Sequence, residues 1–73
     1  MDIKSIRTNA GIVWKILSDN KQWKIGDLRL KSGLSESALY AAIGWLARDN
    51  KIEFGQEPQS GECTYFLQFN LYI

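Results

Sequence analysis

The sequence predicts an α+β domain, three helices followed by a two-stranded antiparallel hairpin, on three observations. Apolar residues recur at helical spacing in two long stretches, with Ile6, Ala10, Val13 and Leu17 in the first and Leu39, Ala42, Ile43 and Leu46 in the second. Between these stretches, Ser32-Gly33-Leu34-Ser35 reads as a tight turn, because Gly33 takes a positive φ at little cost and Ser35 can cap the next helix. After Asn50 the period changes to two, with Tyr65, Leu67, Phe69 and Leu71 alternating along the last stretch.

The first helix is expected over residues 5–18, with Ile16 beside its core stripe, Gly11 and Lys15 turned away, and Trp14 at the edge. Asp19-Asn20-Lys21-Gln22 is a polar connector, and Trp23–Ile25 reads as a very short strand or a lead-in. A second helix is expected over residues 25–32, burying Ile25 and Leu28, with Gly33 as its C′ residue. The third begins at Ser35 and ends at Asn50, a residue type that enters the left-handed region more readily than most. Strands follow over residues 51–56 and 63–71, joined by the loop Glu57-Pro58-Gln59-Ser60-Gly61-Glu62. A helix that follows a tight Gly-Leu-Ser turn and feeds a hairpin is the recognition helix and wing of a winged helix-turn-helix. The expected core is Ile6, Val13, Leu17, Ile25, Leu28, Leu34, Leu39, Ile43, Leu46, Ile52, Phe54 and Leu67.

Size and composition narrow the function. Seventy-three residues make one small domain with one modest core, and a 45% hydrophobic fraction with three tryptophans marks a folding chain. A net charge of +1 gives no global attraction to nucleic acid or anionic membrane. With no histidine, the commonest general base and most zinc sites are missing. The single Cys63 forms no intrachain disulfide, stands between Glu62 and Thr64, and reads as a half-buried strand cysteine of a reducing compartment. Glu53, Glu57 and Glu62 read as solvated strand and loop charges, because paired acid–base carboxylates need a pocket that shifts them. There is no Gly-rich phosphate loop, no apolar leader segment, and no run of the ~18 apolar residues that a membrane span requires. The expectation is a cytoplasmic binding domain that is not an enzyme and holds no cofactor, metal or small-molecule substrate.

Three segments together resemble a known family. They are Ala10-Gly11-Ile12-Val13-Trp14-Lys15-Ile16-Leu17, then Ser32-Gly33-Leu34, then Ala42-Ile43-Gly44-Trp45-Leu46-Ala47-Arg48-Asp49-Asn50-Lys51-Ile52. The pattern resembles an uncharacterised prokaryotic winged helix-turn-helix family, a domain of unknown function common in Bacteroides-type bacteria. The resemblance spans nearly the whole chain, and Gly44-Trp45-Leu46-Ala47-Arg48 is its most specific segment. It implies the fold and assigns no activity.

Charge then separates two functional readings. Residues 1–31 hold Lys4, Arg7, Lys15, Lys21, Lys24, Arg29 and Lys31 against Asp2, Asp19 and Asp27. Residues 32–73 hold only Arg48 and Lys51 against Glu36, Asp49, Glu53, Glu57 and Glu62. A recognition helix and wing need cations to neutralise phosphate, and here both are acidic. At about 100° per residue, the side of helix 3 opposite its stripe is Ser37, Ala41, Gly44 and Arg48, flanked by Tyr40 and Trp45. Arg48, the strong base-reading donor of that strip, lies near the helix C-terminus, whereas bases are usually reached from the N-terminal half. Gly44 costs about 1 kcal/mol relative to alanine inside a helix. It either admits a close partner or leaves room for the Trp45 or Trp14 ring.

The favoured expectation is therefore a homodimer that mediates protein association in a transcription-associated setting. Its candidate surfaces are Ser37, Tyr40, Ala41, Gly44 and Trp45 on helix 3, and Phe69, Leu71 and Tyr72 in the apolar C-terminal segment, residues 69–73. The alternative is a DNA-binding regulator contacting phosphates through Lys21, Lys24, Arg29 and Lys31 around helix 2, with Ser37 and Arg48 on helix 3.

Overall fold

The computed structural model describes residues 2–67, in which three helices and three short strands follow one another as α1 (Ile3–Leu17), β1 (Trp23–Lys24), α2 (Ile25–Ser32), α3 (Glu36–Arg48), β2 (Ile52–Gln56) and β3 (Cys63–Leu67). Helix α1 begins two residues earlier than its apolar stripe suggests. Asp2 is its N-cap, with a carboxylate oxygen accepting the Ser5 amide at 2.8 Å, so the first turn is satisfied before the stripe starts. Helix α2 ends where the glycine dictates: Gly33 has φ 72° and its amide closes on the Arg29 carbonyl at 3.0 Å. Ser35 caps α3 by accepting the Ala38 amide at 3.3 Å. The chain leaves α3 through Asn50 at φ 56°, and it leaves α1 the same way through Asn20 at φ 64°. The two exits share the tripeptide Asp-Asn-Lys, at residues 19–21 and 49–51.

The strands form one antiparallel sheet in the order β1-β3-β2. The wing hairpin is β2 and β3, with Ile52 opposite Leu67 and Gln56 opposite Cys63. The two-residue β1 adds a third strand, placing Trp23 opposite Tyr65 and Lys24 opposite Thr64. The hairpin loop is ordered by its own bonds. The Glu57 amide donates to the Glu62 carbonyl and the Gly61 amide to the Glu57 carbonyl, both at 2.8 Å, with Gly61 at φ 76°.

The core joins the inner faces of the helices to one face of the sheet. Ala10, Val13, Leu17, Leu28, Leu39, Ala42, Ile43, Leu46, Ile52 and Tyr65 are buried, and Ile25, Leu34 and Leu67 pack half-buried against them. Two expected core residues differ. Ile6 is only half-buried, one turn before Ala10, the first buried residue of α1. Phe54 is 54% exposed. It points to the same face as Ile52, but β2 is an edge strand of the sheet and Phe54 lies two residues further along it than the buried Ile52. Its ring rests edge-on against Tyr65, with centroids 5.5 Å apart and planes at 76°.

On the opposite sheet face, Thr64 is buried and its hydroxyl donates to the Gln22 side-chain carbonyl at 3.0 Å. Gly55 makes room for that bond, since a Cβ there would sit 2.8 Å from the Thr64 hydroxyl and 3.1 Å from the Phe66 ring. Burial pushes the Tyr65 phenol up to about 12, helped by the neighbouring Cys63. Cys63 itself is exposed, not half-buried as expected, because it opens β3 beside the wing loop.

Candidate binding surfaces

The outward side of α3 follows its periodicity with one exchange: Ala41, expected at the centre of the strip, is half-buried, and Tyr40, expected at its flank, is exposed. Ser37, Gly44 and Arg48 are exposed as expected, and Trp45 is half-buried at the flank. Tyr40 leaves 47% of its surface in solvent, which makes it the most exposed ring on this surface. Apart from its chain neighbours, a Cβ added at Gly44 would meet nothing within 4 Å, so the glycine is not making room for the Trp14 ring. Phe69, Leu71 and Tyr72, the other half of the expected partner surface, lie outside the described residues.

The basic residues around α2 do not act as one patch. Lys24 reaches Glu62 on the wing at 3.8 Å, and Arg29 reaches Glu36 in the first turn of α3 at 3.8 Å. Both pairs are solvent-exposed and contribute little to stability, but each places a carboxylate beside a cation that a phosphate would otherwise meet. Lys21 and Lys31 instead line a groove between α1 and α2.

That groove is the feature the sequence did not announce. Its volume is about 620 Å³, and Ile12, Ile16 and Trp23 form its apolar lining. Ile12, Lys15, Ile16 and Asp19 lie on one side of α1 and its exit, at the spacing of a second helical stripe beside the core stripe. A shallower depression of 370 Å³ shares Trp23 and Lys31 and extends the surface to Leu30, which is 82% exposed. The Trp23 ring is fixed by Asp19, one of whose oxygens accepts the Trp23 indole N–H at 3.0 Å and the Lys21 amide at 2.9 Å. These bonds, the indole's first and the Lys21 amide's next, hold the Asp19 carboxyl below its ordinary value of 3.8. The only sequence signal for the groove is that Ile12 and Leu30 fall off the core faces of their helices.

A smaller hollow of about 230 Å³ separates α1 from the end of α3, lined by Arg7, Gly11, Trp14, Trp45, Asp49 and Lys51. The Lys51 ammonium lies 5.3 Å from the centroid of the Trp14 ring, so the chain's own cation already occupies that aromatic face. Among the described residues, no group of three or more Cys, Asp or Glu side chains is placed to hold a metal ion. None of the helices is long and apolar enough to cross a membrane.

The family model described as Winged helix-turn-helix domain (DUF2582) matches residues 1–65. The chain belongs to this family. A neighbour in shape is a protein from Bacteroides thetaiotaomicron, solved by NMR in solution as a structural genomics target. It is 34% identical, the match covers 93% of this chain and 80% of that one, and the TM-score is 0.81. No curated protein matches the chain. The DUF2582 fold places α3 in the position of a recognition helix and β2–β3 in that of a wing. Winged helix-turn-helix domains commonly bind DNA or serve regulation, and the fold is typically non-enzymatic.

Proposed function

We propose that this domain is a non-enzymatic association module that works through protein contacts in a transcription-associated setting in the cytoplasm, as a homodimer. The observation that carries the reading is the chemistry of the surface that winged helices use for reading DNA. The outward strip of α3 carries one guanidinium, Arg48, at its C-terminal end, and the neighbouring cations Lys24 and Arg29 are engaged by Glu62 of the wing and Glu36 of α3 itself. A phosphate backbone approaching this side meets carboxylates before it meets free cations.

Duplex titration tests it. Binding to random-sequence DNA near physiological salt should be no tighter than about 10⁻⁴ M, the loose end of non-specific affinity. A micromolar complex that weakened on Arg48→Ala or Ser37→Ala would overturn the reading. It would favour the alternative, a DNA-binding regulator held at the phosphate backbone by the basic α2 region. Lys21 and Lys31 support that alternative, since among the described residues neither lies within 4.0 Å of a carboxylate. For the dimer, sedimentation at high concentration should give twice the 8.4 kDa of one chain, and a clean 8.4 kDa species would refute it.

A further inference from the structure

We infer that the groove between α1 and α2 is a docking site for an acidic amphipathic segment of another protein. This deepens the association reading and rests on it, but it does not depend on the homodimer. The apolar part is a continuous surface of Ile12, Ile16 and Trp23, extended by Leu30, which lies almost entirely in solvent at 82% exposure. In a chain that buries Leu17, Leu28 and Leu39 completely, a leucine left this open on a helix beside a half-covered tryptophan marks a contact surface.

Charge selects the occupant. Lys15, Lys21 and Lys31 rim the groove, and among the described residues none lies within 4.0 Å of a carboxylate. Asp19, the one acid lining it, attracts Lys21 and Lys31 and accepts from the Trp23 indole and the Lys21 amide, and one carboxylate against three ammonium groups leaves the rim positive. Asp27 stands on the far side, in the extension beside Leu30. The rim therefore presents three ammonium groups around an apolar floor. A segment with apolar residues on one side and Asp or Glu along its borders complements both parts. A purely apolar segment would leave the lysines unmatched, and a bare phosphate chain would leave the apolar floor uncovered.

The floor is also pre-organised. The Asp19–Trp23 hydrogen bond and the β1–β3 pairing hold the tryptophan before anything binds, which lowers the ordering cost of association. The same indole N–H gives a spectroscopic reporter at the centre of the site.

The test uses the full chain labelled with ¹⁵N and a panel of synthetic helical peptides. Each peptide carries Leu at i, i+3 and i+7 with Glu at the flanking positions, and each is matched by a version with Gln in place of Glu. The Glu peptides should shift the Trp23 indole N–H and the amides near Ile12, Ile16 and Leu30. Affinity should fall about tenfold or more in the triple variant Lys15→Gln, Lys21→Gln, Lys31→Gln, and also fall as salt rises from about 0.05 to about 0.3 M. Leu30→Gln should weaken binding while leaving the thermal midpoint unchanged, because that side chain supports no core contact and glutamine matches leucine in helix propensity.

Equal, salt-insensitive binding of the Gln peptides would overturn the charge argument. Shifts confined to α3, or no shift with any peptide, would overturn the site. Groove shifts that grow with protein concentration alone would mean that a second copy fills it. Displacement of the peptide by duplex DNA with shifts at the same lysines would make the groove a phosphate contact and would overturn the association reading as well. A monomer that still binds the Glu peptides at the groove would retire the dimer and leave this proposal standing.

Discussion

The outer strip of α3 and the groove between α1 and α2 are both open to solvent, yet they offer a partner opposite things. The strip is convex, with small residues at Ser37, Ala41 and Gly44 and one late cation. The groove is concave, with an apolar floor and three lysines of which none, among the described residues, lies within 4.0 Å of a carboxylate. By topology, α3 is the element that winged helices use for reading. By chemistry, the capacity for contact lies elsewhere. A fold fixes where a surface stands, and the residues on it decide what that surface can bind.

The sharpest way to break this comparison is to ask whether α3 matters for stability or for contact. Its inner side should be the costly one. Ile43→Ala or Leu46→Ala should destabilise by about 2–5 kcal/mol, enough to unfold much of a domain this small. Both residues are 4% exposed, and chemical denaturation of each variant measures the cost. A loss below about 0.5 kcal/mol for either would mean that the helix does not hold the core as assigned.

Next in size is the sheet. Gly55→Ala should cost about 1–3 kcal/mol, because the new methyl would collide with the Thr64 hydroxyl and drive it off Gln22. The double variant Gly55→Ala, Thr64→Ala should recover part of that loss. Failure to recover any would place the strain in the backbone of β2 and not in this packing.

Smaller again, and opposite in sign, is Gly44→Ala. Nothing lies within 4 Å of the added Cβ, so the isolated domain should gain about 0.5–1 kcal/mol from helix propensity. This variant tests the strip directly. If the protein loses dimer while its monomer gains stability, the glycine serves a close-packed partner. If nothing but stability changes, the strip has no such partner.

Much of the fold was legible because it is written in local chemistry. Gly33, Ser35 and Asn50 each satisfy a helix end with their own backbone or side chain, and the structure uses all three as the sequence implies. Asp2 escaped because it precedes the apolar stripe, and a cap is recognised most easily against the pattern it interrupts. Phe54 was misplaced because alternation reports which face a side chain points to, not how far along the strand the core reaches. The groove was not legible at all. Ile12 and Leu30 lie 18 residues apart on different helices, and only the packing of α1 on α2 brings their faces to one surface. The charge separation between the two halves was plain in the sequence. That Lys24 and Arg29 would bridge it, and so leave the cationic character to the groove, required the tertiary arrangement.

The smallest expected effect probes how firmly that groove is set. The Asp19 carboxyl is held below its ordinary value of 3.8 by the Trp23 indole first, then by the Lys21 amide, with Lys21 and Lys31 adding charge attraction. A depressed folded value means that the ionised form is preferred in the native state. The stabilisation is therefore fully present above the unfolded value and fades as pH falls through the folded one. Below the ordinary aspartate range, the Trp23 indole N–H resonance should move as its acceptor is protonated, and the thermal midpoint should slip slightly because the group is fully exposed. Asp2 is depressed too, by its N-cap bonds to Ser5, so acid will loosen the start of α1 in the same range. The two are separable. Asp19→Asn keeps an oxygen acceptor but removes the titration, and it should abolish the acid step at the indole. Asp2→Asn should leave that step intact. An indole that titrated unchanged in the Asp19→Asn protein would mean that Asp19 does not anchor the tryptophan, and the groove would lose its fixed floor.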